Sequence, residues 1–315
     1  MLAVHLENGR VELREVPRPE RPKGFALIRL LLGGICNTDL ELQRGYYGFT
    51  GTPGQEFVGE VVEADDASLL GCRVVGEINL ACGTCEWCAR DLGRHCPART
   101  VLGIVKHPGA FQEFFTLPER NLHVLPDEIS NEQAVFVEPL AAALEILDQS
   151  NIPAGETVAV QGDGKLGLLI AQVLRTNGYA VEHFGRHAHK LAISSRAGAL
   201  THWNGEAPRA AFDWVVDATG SSTGIETALK MVRPRGTVFL KSTVHDRAAI
   251  DWASVIVNEI SLVGSRCGRF EPALELLRTG KVDVLTMISG RFPLQAAPEA
   301  FARAAERGNM KVLLH

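Results

Sequence analysis

Residues 157–167 read TVAVQGDGKLG, and the reading of that stretch decides the fold. Strand Thr157–Gln161 leads into the loop and helix Lys165–Thr176 leads out, with Gly162, Gly164 and Gly167 standing as G-x-G-x-x-G between them. Gly162 permits the turn, Gly164 lets a pyrophosphate approach the backbone, and Gly167 allows the helix to pack closely on the strand. The helix opening at Lys165 and Leu166 offers its first amides to phosphate groups. Glycines also mark ordinary turns, so the motif draws its weight from the strand before it and the helix after it.

Outward from the loop, strands and helices alternate. Strand Ala180–Phe184, helix Ala188–Ala197, a short strand at Leu200–Trp203, strand Asp213–Ala218, helix Gly224–Val232, strand Gly236–Lys241 and strand Ile260–Gly264 follow one another. Such alternation predicts an α/β domain with a doubly wound parallel sheet, a Rossmann domain for a dinucleotide, over residues 126–265. Its opening helix is expected over Glu132–Gln149, where Leu140, Leu144 and Leu147 share one face.

The second strand of that domain bears on which dinucleotide fits. A site for NAD carries an acid about 20 residues past the loop, bonded to the ribose 2′-hydroxyl. Here the strand ends in HFGRHAHK, with Gly185 where the acid is expected, Arg186 next, and His187 and Lys190 close by. With no carboxylate in that place nothing repels a 2′-phosphate, and a guanidinium can clamp one with two hydrogen bonds. NADP(H) is therefore expected in preference to NAD(H), Arg186 and Lys190 being the cations placed to choose it.

The rest of the chain has a different rhythm. Leu2, Val4 and Leu6 alternate with polar neighbours, Asn8-Gly9 suits a type I′ turn, and Val11 and Leu13 resume the alternation. Further short strands are expected at Phe25–Leu32, Phe57–Val62, Arg73–Ile78 and Phe111–Leu117, so residues 1–125 form a mainly β domain. Helices Pro272–Arg278 and Ala297–Ala305 and strand Met310–Leu314 then return residues 266–315 to it.

At 315 residues, with 46% hydrophobic and 22% charged content, the chain suits two globular domains. A net charge of −5 without a run of five like charges gives no support to a nucleic-acid surface. No apolar stretch approaches the roughly 20 residues of a bilayer span, and Met1–Pro19 lacks the basic start and apolar core of an export signal. A cytoplasmic protein that binds neither membrane nor nucleic acid is expected.

Cysteines carry the next signal. Cys82, Cys85, Cys88 and Cys96 form C-x2-C-x2-C-x7-C inside the lobe 80–98, with Gly83 and Gly93 allowing the tight turns. Without an export signal, such crowding favours a metal over disulfides. Four thiolates fill a tetrahedral zinc shell and leave no position for substrate, which makes the zinc structural. Similar spacings also hold iron–sulfur clusters, though nothing else in the chain suggests one.

The two motifs, in this order, resemble those of the medium-chain zinc alcohol dehydrogenase superfamily, and the likeness covers nearly the whole chain. GGICNTDLE, TPGQEFVGEVVE, the cysteine lobe, VEPLAAALE and the glycine loop fall in that family's order. The VEPLAAALE segment is most similar to the polyol, sugar and threonine dehydrogenase branch. The resemblance implies a GroES-like catalytic domain at the N-terminus and a catalytic zinc with Cys36 and Glu138 among its ligands. Thr38 would relay the alcohol proton, Asp39 would orient the metal shell, and Glu56 would sit beside the metal and exchange onto it. It also implies dimers or tetramers built on the edge strand Ile260–Gly264.

One position departs from the family, whose Gly-His-Glu stands here as Gly54-Gln55-Glu56. A glutamine oxygen is a harder and weaker ligand for zinc than a histidine nitrogen, so a second zinc bound through Gln55 should be the looser of the two. Cys36 also suits a buried apolar thiol, and Thr38 and Asp39 also suit the cap of a helix starting near Leu40. The activity implied is a zinc-dependent, NADP(H)-linked oxidation of a small alcohol or polyol, or reduction of its carbonyl. The alternatives are a zinc-free quinone or enone reductase, and a non-catalytic NADPH-binding protein with structural zinc only.

Overall fold

A computed structural model describes residues 1–242 and 249–315. The chain forms two compact units, Met1–Glu138 with Met287–His315, and Pro139–Thr286.

In the second unit we number strands β1 (Thr157–Gln161), β2 (Ala180–Gly185), β3 (Leu200–Trp203), β4 (Phe212–Asp217), β5 (Val232–Leu240) and β6 (Ser261–Gly264). The helices are α1 (Lys165–Thr176), α2 (Ala188–Arg196), α3 (Gly224–Met231) and α4 (Trp252–Val257). The sheet runs β3-β2-β1-β4-β5-β6 with every neighbouring pair parallel. Val158, Ala159 and Val160 are all fully buried, as a strand covered on both faces must be. The strand order reverses between β1 and β4, and in open α/β sheets the crevice at such a reversal is where ligands bind.

The first unit is mainly β. Its hairpin, Leu2–Glu7 with Arg10–Glu15, turns at Asn8 and Gly9, whose φ values of 51° and 78° are those of a type I′ turn. A seven-stranded sheet is centred on Phe25–Ile35, flanked by Phe57–Glu63 and by the late strand Lys311–Leu314, with Phe114–Pro118 also paired to it. Antiparallel pairing sets Val312 against Ile35, which brings Lys311 level with the start of the Cys36 segment. A core of Val4, Leu6, Ile35, Phe111, Phe301, Val312 and Leu314 ties hairpin, return strand and helix Ala297–Ala305 together.

Several borders differ from those expected. The long helix is two, Asn131–Ala134 and Val137–Gln149. Pro139 lacks the N–H that a continuous helix would direct to Val135, and its ring would crowd that carbonyl, so the chain starts a new helix with the proline in its first turn. The units divide at Glu138–Pro139 and Thr286–Met287 rather than at 125/126 and 265/266. Arg73 holds the connecting segment to the first unit, donating to the carbonyls of Pro126 and Ile129 and to the Asn131 side chain. In the second unit Gln172 exchanges hydrogen bonds with the Asp283 backbone in both directions, which keeps residues up to 286 there. Strand Ile288–Phe292 and helix α4 were not expected from the sequence.

Candidate cofactor and metal sites

The three loop glycines are needed for different reasons. At Gly162, φ is 108° and an added Cβ would stand 2.6 Å from the Ala218 carbonyl, so both conformation and space demand glycine. At Gly167 a Cβ would lie 1.9 Å from the Gly162 oxygen, which is the close packing of helix on loop. At Gly164, the residue capping α1, such a Cβ would meet nothing within 4 Å among the described residues beyond its chain neighbours and its own helix. Only the middle glycine leaves open space, as a loop that admits a phosphate to its backbone requires. The loop therefore fits a dinucleotide, with Lys165 and Leu166 opening the helix behind Gly164.

Beneath the loop lies a residue the sequence reading passed over. His183 on β2 is fully buried; its Nε2 lies 3.0 Å from the Gly162 carbonyl and its Nδ1 2.7 Å from the Ser194 hydroxyl. Burial lowers its pKa, against the opposing pull of the Gly162 carbonyl and Asp163, so the ring is neutral. A neutral ring can donate to the Gly162 carbonyl and accept from Ser194, satisfying both ring nitrogens.

The end of β2 needs a correction. Gly185 brings no acid, but Asp163 does, from within the glycine loop. Its Oδ2 accepts the Arg186 amide at 2.7 Å and the His187 amide at 2.6 Å, and lies 3.0 Å from His187 Nδ1. Burial pushes this carboxyl up, yet the two amides and the His187 ring pull harder and leave its pKa below the ordinary value. A carboxylate thus occupies the neighbourhood that the sequence alone shows as empty of one. Arg186 and His187 form the turn into α2, and Lys190 is buried in the first turn of that helix. The signal for Asp163 was present as an acid inside G-x-G, but nothing local says where its side chain turns.

In the cysteine lobe the four sulfurs converge. Cys85 and Cys88 are 3.5 Å apart, Cys82 and Cys96 3.6 Å, Cys85 and Cys96 3.7 Å, and Cys82 and Cys88 3.9 Å. Tetrahedral zinc with bonds of about 2.3 Å has edges of roughly 3.8 Å, so the quartet fits one zinc ion and leaves no room for several irons. Amides of Thr84 and Cys85 and the Thr84 hydroxyl pull Cys82 down to about 6. At Cys85 the Cys88 amide also pulls down, but burial and the neighbouring thiols win and push it up to about 11. Such divergence is the mark of sulfurs too close to ionise together without a cation among them.

The second group is assembled from distant segments of the first unit. Cys36 caps helix Asn37–Gln43, which starts earlier than the expected Leu40. Its sulfur accepts the Thr38 amide at 3.2 Å and the Gln55 side-chain amide at 3.0 Å. Asp39 accepts the Cys36 amide at 2.9 Å and the Gly54 amide at 3.1 Å, pinning the two segments that carry Cys36 and Gln55. Burial pushes the Asp39 carboxyl up to about 6 against those amides, and nearby Glu56 adds to the rise. Gln55 is 6% exposed, and its Oε1 is sealed from solvent without a hydrogen-bond partner among the described residues. Such an orphaned acceptor calls for a partner, and a cation beside the Cys36 sulfur is one that satisfies it.

Glu56 has a partner that the sequence reading missed. Lys311, 1% exposed, forms an ion pair with it, and the Lys311 ammonium also lies 5.3 Å from the centre of the Phe136 ring. Gly34 makes room, since a Cβ there would stand 2.9 Å from the Glu56 carboxylate and 3.2 Å from the Lys311 stem. Thr38 is half-buried in the capped helix, and Glu138 is half-buried in the first turn of Val137–Gln149. Among the described residues, only the four lobe cysteines form a set of three or more His, Cys, Asp or Glu whose ligand atoms lie within 4.8 Å of one another. Cys36, Glu56 and Glu138 are therefore not drawn into a closed shell.

A parallel sheet wound in this order, a phosphate loop at its reversal and a four-sulfur metal lobe in a β domain define a zinc-binding, dinucleotide-dependent dehydrogenase. Comparison with known proteins agrees. The family model for the alcohol dehydrogenase GroES-like domain matches residues 22–127, and that for zinc-binding dehydrogenase matches residues 166–279. D-altritol 5-dehydrogenase of Agrobacterium fabrum is 31% identical over 98% of this chain and 97% of its own. D-arabitol-phosphate dehydrogenase of Enterococcus avium is 29% identical over 94% of this chain and 91% of its own. A zinc-binding dehydrogenase of Sinorhizobium meliloti, solved bound to NADP, superposes with a TM-score of 0.89 at 30% identity, covering 99% of this chain and 98% of that one. The chain belongs to the zinc-dependent medium-chain alcohol dehydrogenase superfamily, and it is an oxidoreductase of the alcohol dehydrogenase type. No helix among the described residues is long and apolar enough to cross a membrane.

Proposed function

We propose that the protein interconverts a small polyol and its carbonyl form with NADP(H), at a pocket built on Cys36, Gln55 and Glu138. The observation that carries this reading is the buried Gln55 carbonyl, left without a partner while its amide nitrogen touches the Cys36 sulfur. Zinc held by Cys36, Gln55 and Glu138 would supply Lewis-acid polarisation of the substrate oxygen. The nicotinamide cofactor would take up or deliver the hydride at carbon, Arg186 favouring its 2′-phosphate form.

The chain's own residues do the rest. Thr38, half-buried two residues from Cys36, receives the hydroxyl proton and passes it to solvent, which balances the hydride lost from carbon. Asp39 keeps the Cys36 and Gly54 segments in register, so sulfur and amide stay together whether or not a metal is bound. Lys311 neutralises Glu56, so any exchange of Glu56 onto the metal competes with that ion pair. The polyol class is supported by the names of the relatives D-altritol 5-dehydrogenase and D-arabitol-phosphate dehydrogenase.

Zinc content, measured before and after brief chelation, together with NADPH-linked turnover of a polyol and ketose panel, tests this. Two zinc ions per chain are expected, the second leaving together with activity and both returning on adding Zn²⁺. Full turnover with one zinc per chain would replace this reading by a zinc-free reductase.

Association is proposed through the second unit. β6 is an edge strand, and Trp252, Ile256 and Val257 on α4 are exposed, Ile256 by 72%. An open edge beside apolar side chains favours pairing with a second copy. Light scattering should show a dimer or tetramer, and Ile256→Glu should shift it toward monomer.

A further inference from the structure

Asp163 stands between two glycines of the phosphate loop and is 7% exposed, yet only one of its oxygens is used by the protein. Oδ2 takes the Arg186 and His187 amides and faces the His187 ring. Oδ1 has no hydrogen bond among the described residues, and it is not one of the buried atoms sealed from solvent. A carboxylate is more than the turn requires, because a neutral oxygen would accept the same two amides. The other half of the group is left over for something outside the chain.

Position 185 reinforces the point. A Cβ there would stand 2.7 Å from the Asp163 Cβ, 2.8 Å from its Oδ2 and 2.8 Å from Leu191 Cδ2, so the loop acid and the Leu191 side chain together leave no room for a side chain at the strand end. Gly185 is thus explained by Asp163 and Leu191 together, and its lack of a side chain does not show that the crevice lacks negative charge. Arg186 follows immediately, so an anion and a cation reach the end of β2 from two different segments.

We propose that Asp163 is a cofactor-selecting residue, its Oδ1 accepting a hydroxyl of the adenosine ribose and so opposing Arg186, which favours the 2′-phosphate. The inference rests on the assignment of this loop to a nicotinamide dinucleotide. A ribose hydroxyl donates to the free oxygen, whereas a 2′-phosphate meets the same oxygen as a like charge. Selectivity is then a difference between two neighbouring side chains, and removing either should tip the balance in a predictable direction.

Asp163→Asn keeps an oxygen for the two amides and replaces the free acceptor by an N–H donor, which suits a phosphate. Calorimetric titration of NADH, NADPH, ADP-ribose and 2′-phospho-ADP-ribose reads binding without turnover. In Asp163→Asn, NADH and ADP-ribose should bind about tenfold more weakly while the two 2′-phosphorylated ligands bind as well or better. Arg186→Ala should move the ratio the opposite way. Asp163→Ser, which keeps one acceptor but no charge, should shift it in the same direction as Asn. Equal weakening of all four ligands in the Asn and Ser variants would make Asp163 a turn-holding residue only and overturn the proposal, as would no change in any of them. A ratio that moves with Asp163 but not with Arg186 would uphold Asp163 and remove the Arg186 reading instead.

Discussion

The cysteine lobe and the Cys36 pocket, both in the first unit, are built on opposite plans. In the cysteine lobe all four donors lie within fifteen residues and are alike, and the sulfurs crowd at 3.5–3.9 Å with only local amides and the Thr84 hydroxyl about them. In the Cys36 pocket the residues come from positions 36, 55 and 56, with Lys311 from a third segment, and the chain fixes them itself. Asp39 pins the Cys36 and Gly54 amides, and the Glu56–Lys311 pair fills the space beside Gly34. In the lobe four like thiols face one another at close range, whereas in the pocket hydrogen bonds and an ion pair tie the side chains together. Stability should therefore depend on metal at the first place and hardly at all at the second.

Cys96→Ser tests the lobe, and its effect should match or exceed that of any change in the pocket. Loss of one zinc equivalent should cost about 3 kcal/mol or more, lowering the thermal midpoint by roughly 6–12 °C. An unchanged midpoint in zinc-free protein would erase the contrast between the two regions.

Lys311→Met tests whether the pocket is held by the chain. It strands the Glu56 carboxylate in a site only 3% exposed, at a cost of about 3–5 kcal/mol in denaturant unfolding. Adding Glu56→Gln to the same variant should restore most of that loss. If the single variant is as stable as the parent, the ion pair is not what organises this side of the pocket.

Gln55→His sharpens the comparison from the metal's side. Retention of the second zinc through dialysis against chelator should improve, with affinity rising about tenfold, while the thermal midpoint moves by no more than about 2 °C. A large rise in stability would mean that the pocket, too, is shaped by its ion.

The smallest effect lies in the second unit, where the glycine loop is likewise held without an ion. His183 has its pKa lowered by burial, so the unfolded chain binds a proton more readily than the folded one. That stability is present above about pH 6.5 and is lost as pH falls through the unfolded value, by at most about 1.4 kcal/mol per pH unit. Unfolding titrations between pH 7 and 5 should show a shallower slope in His183→Gln than in the parent. His5 and His107 are also lowered, chiefly by burial, so the difference between the two slopes carries the information.

Legibility in the sequence followed the same division. The strand, loop and helix around Gly162–Gly167 and the cysteine lobe are local, and their residues meet because the chain between them is short. The partners of Glu56, Gly185 and Gly162 were not legible, because Lys311, Asp163 and His183 reach them through tertiary packing that no spacing encodes. Lys311 left only a faint trace, a lone cation in the apolar run Met310–Leu314. Strand Ile288–Phe292, ISGRF, escaped notice because its half-buried residues do not alternate. Helix Val137–Gln149 was read too long because the apolar period continues across the break that Pro139 imposes.

The return of the chain also sets a calendar for its own maturation. Lys311 is translated after every residue of the second unit, whereas Cys36, Gln55 and Glu56 emerge before any of it. At 5–20 residues per second the early β segment waits roughly ten seconds or longer for the strand that completes its sheet and for the cation that neutralises Glu56. On the ribosome, the half of the molecule that is made first is finished last.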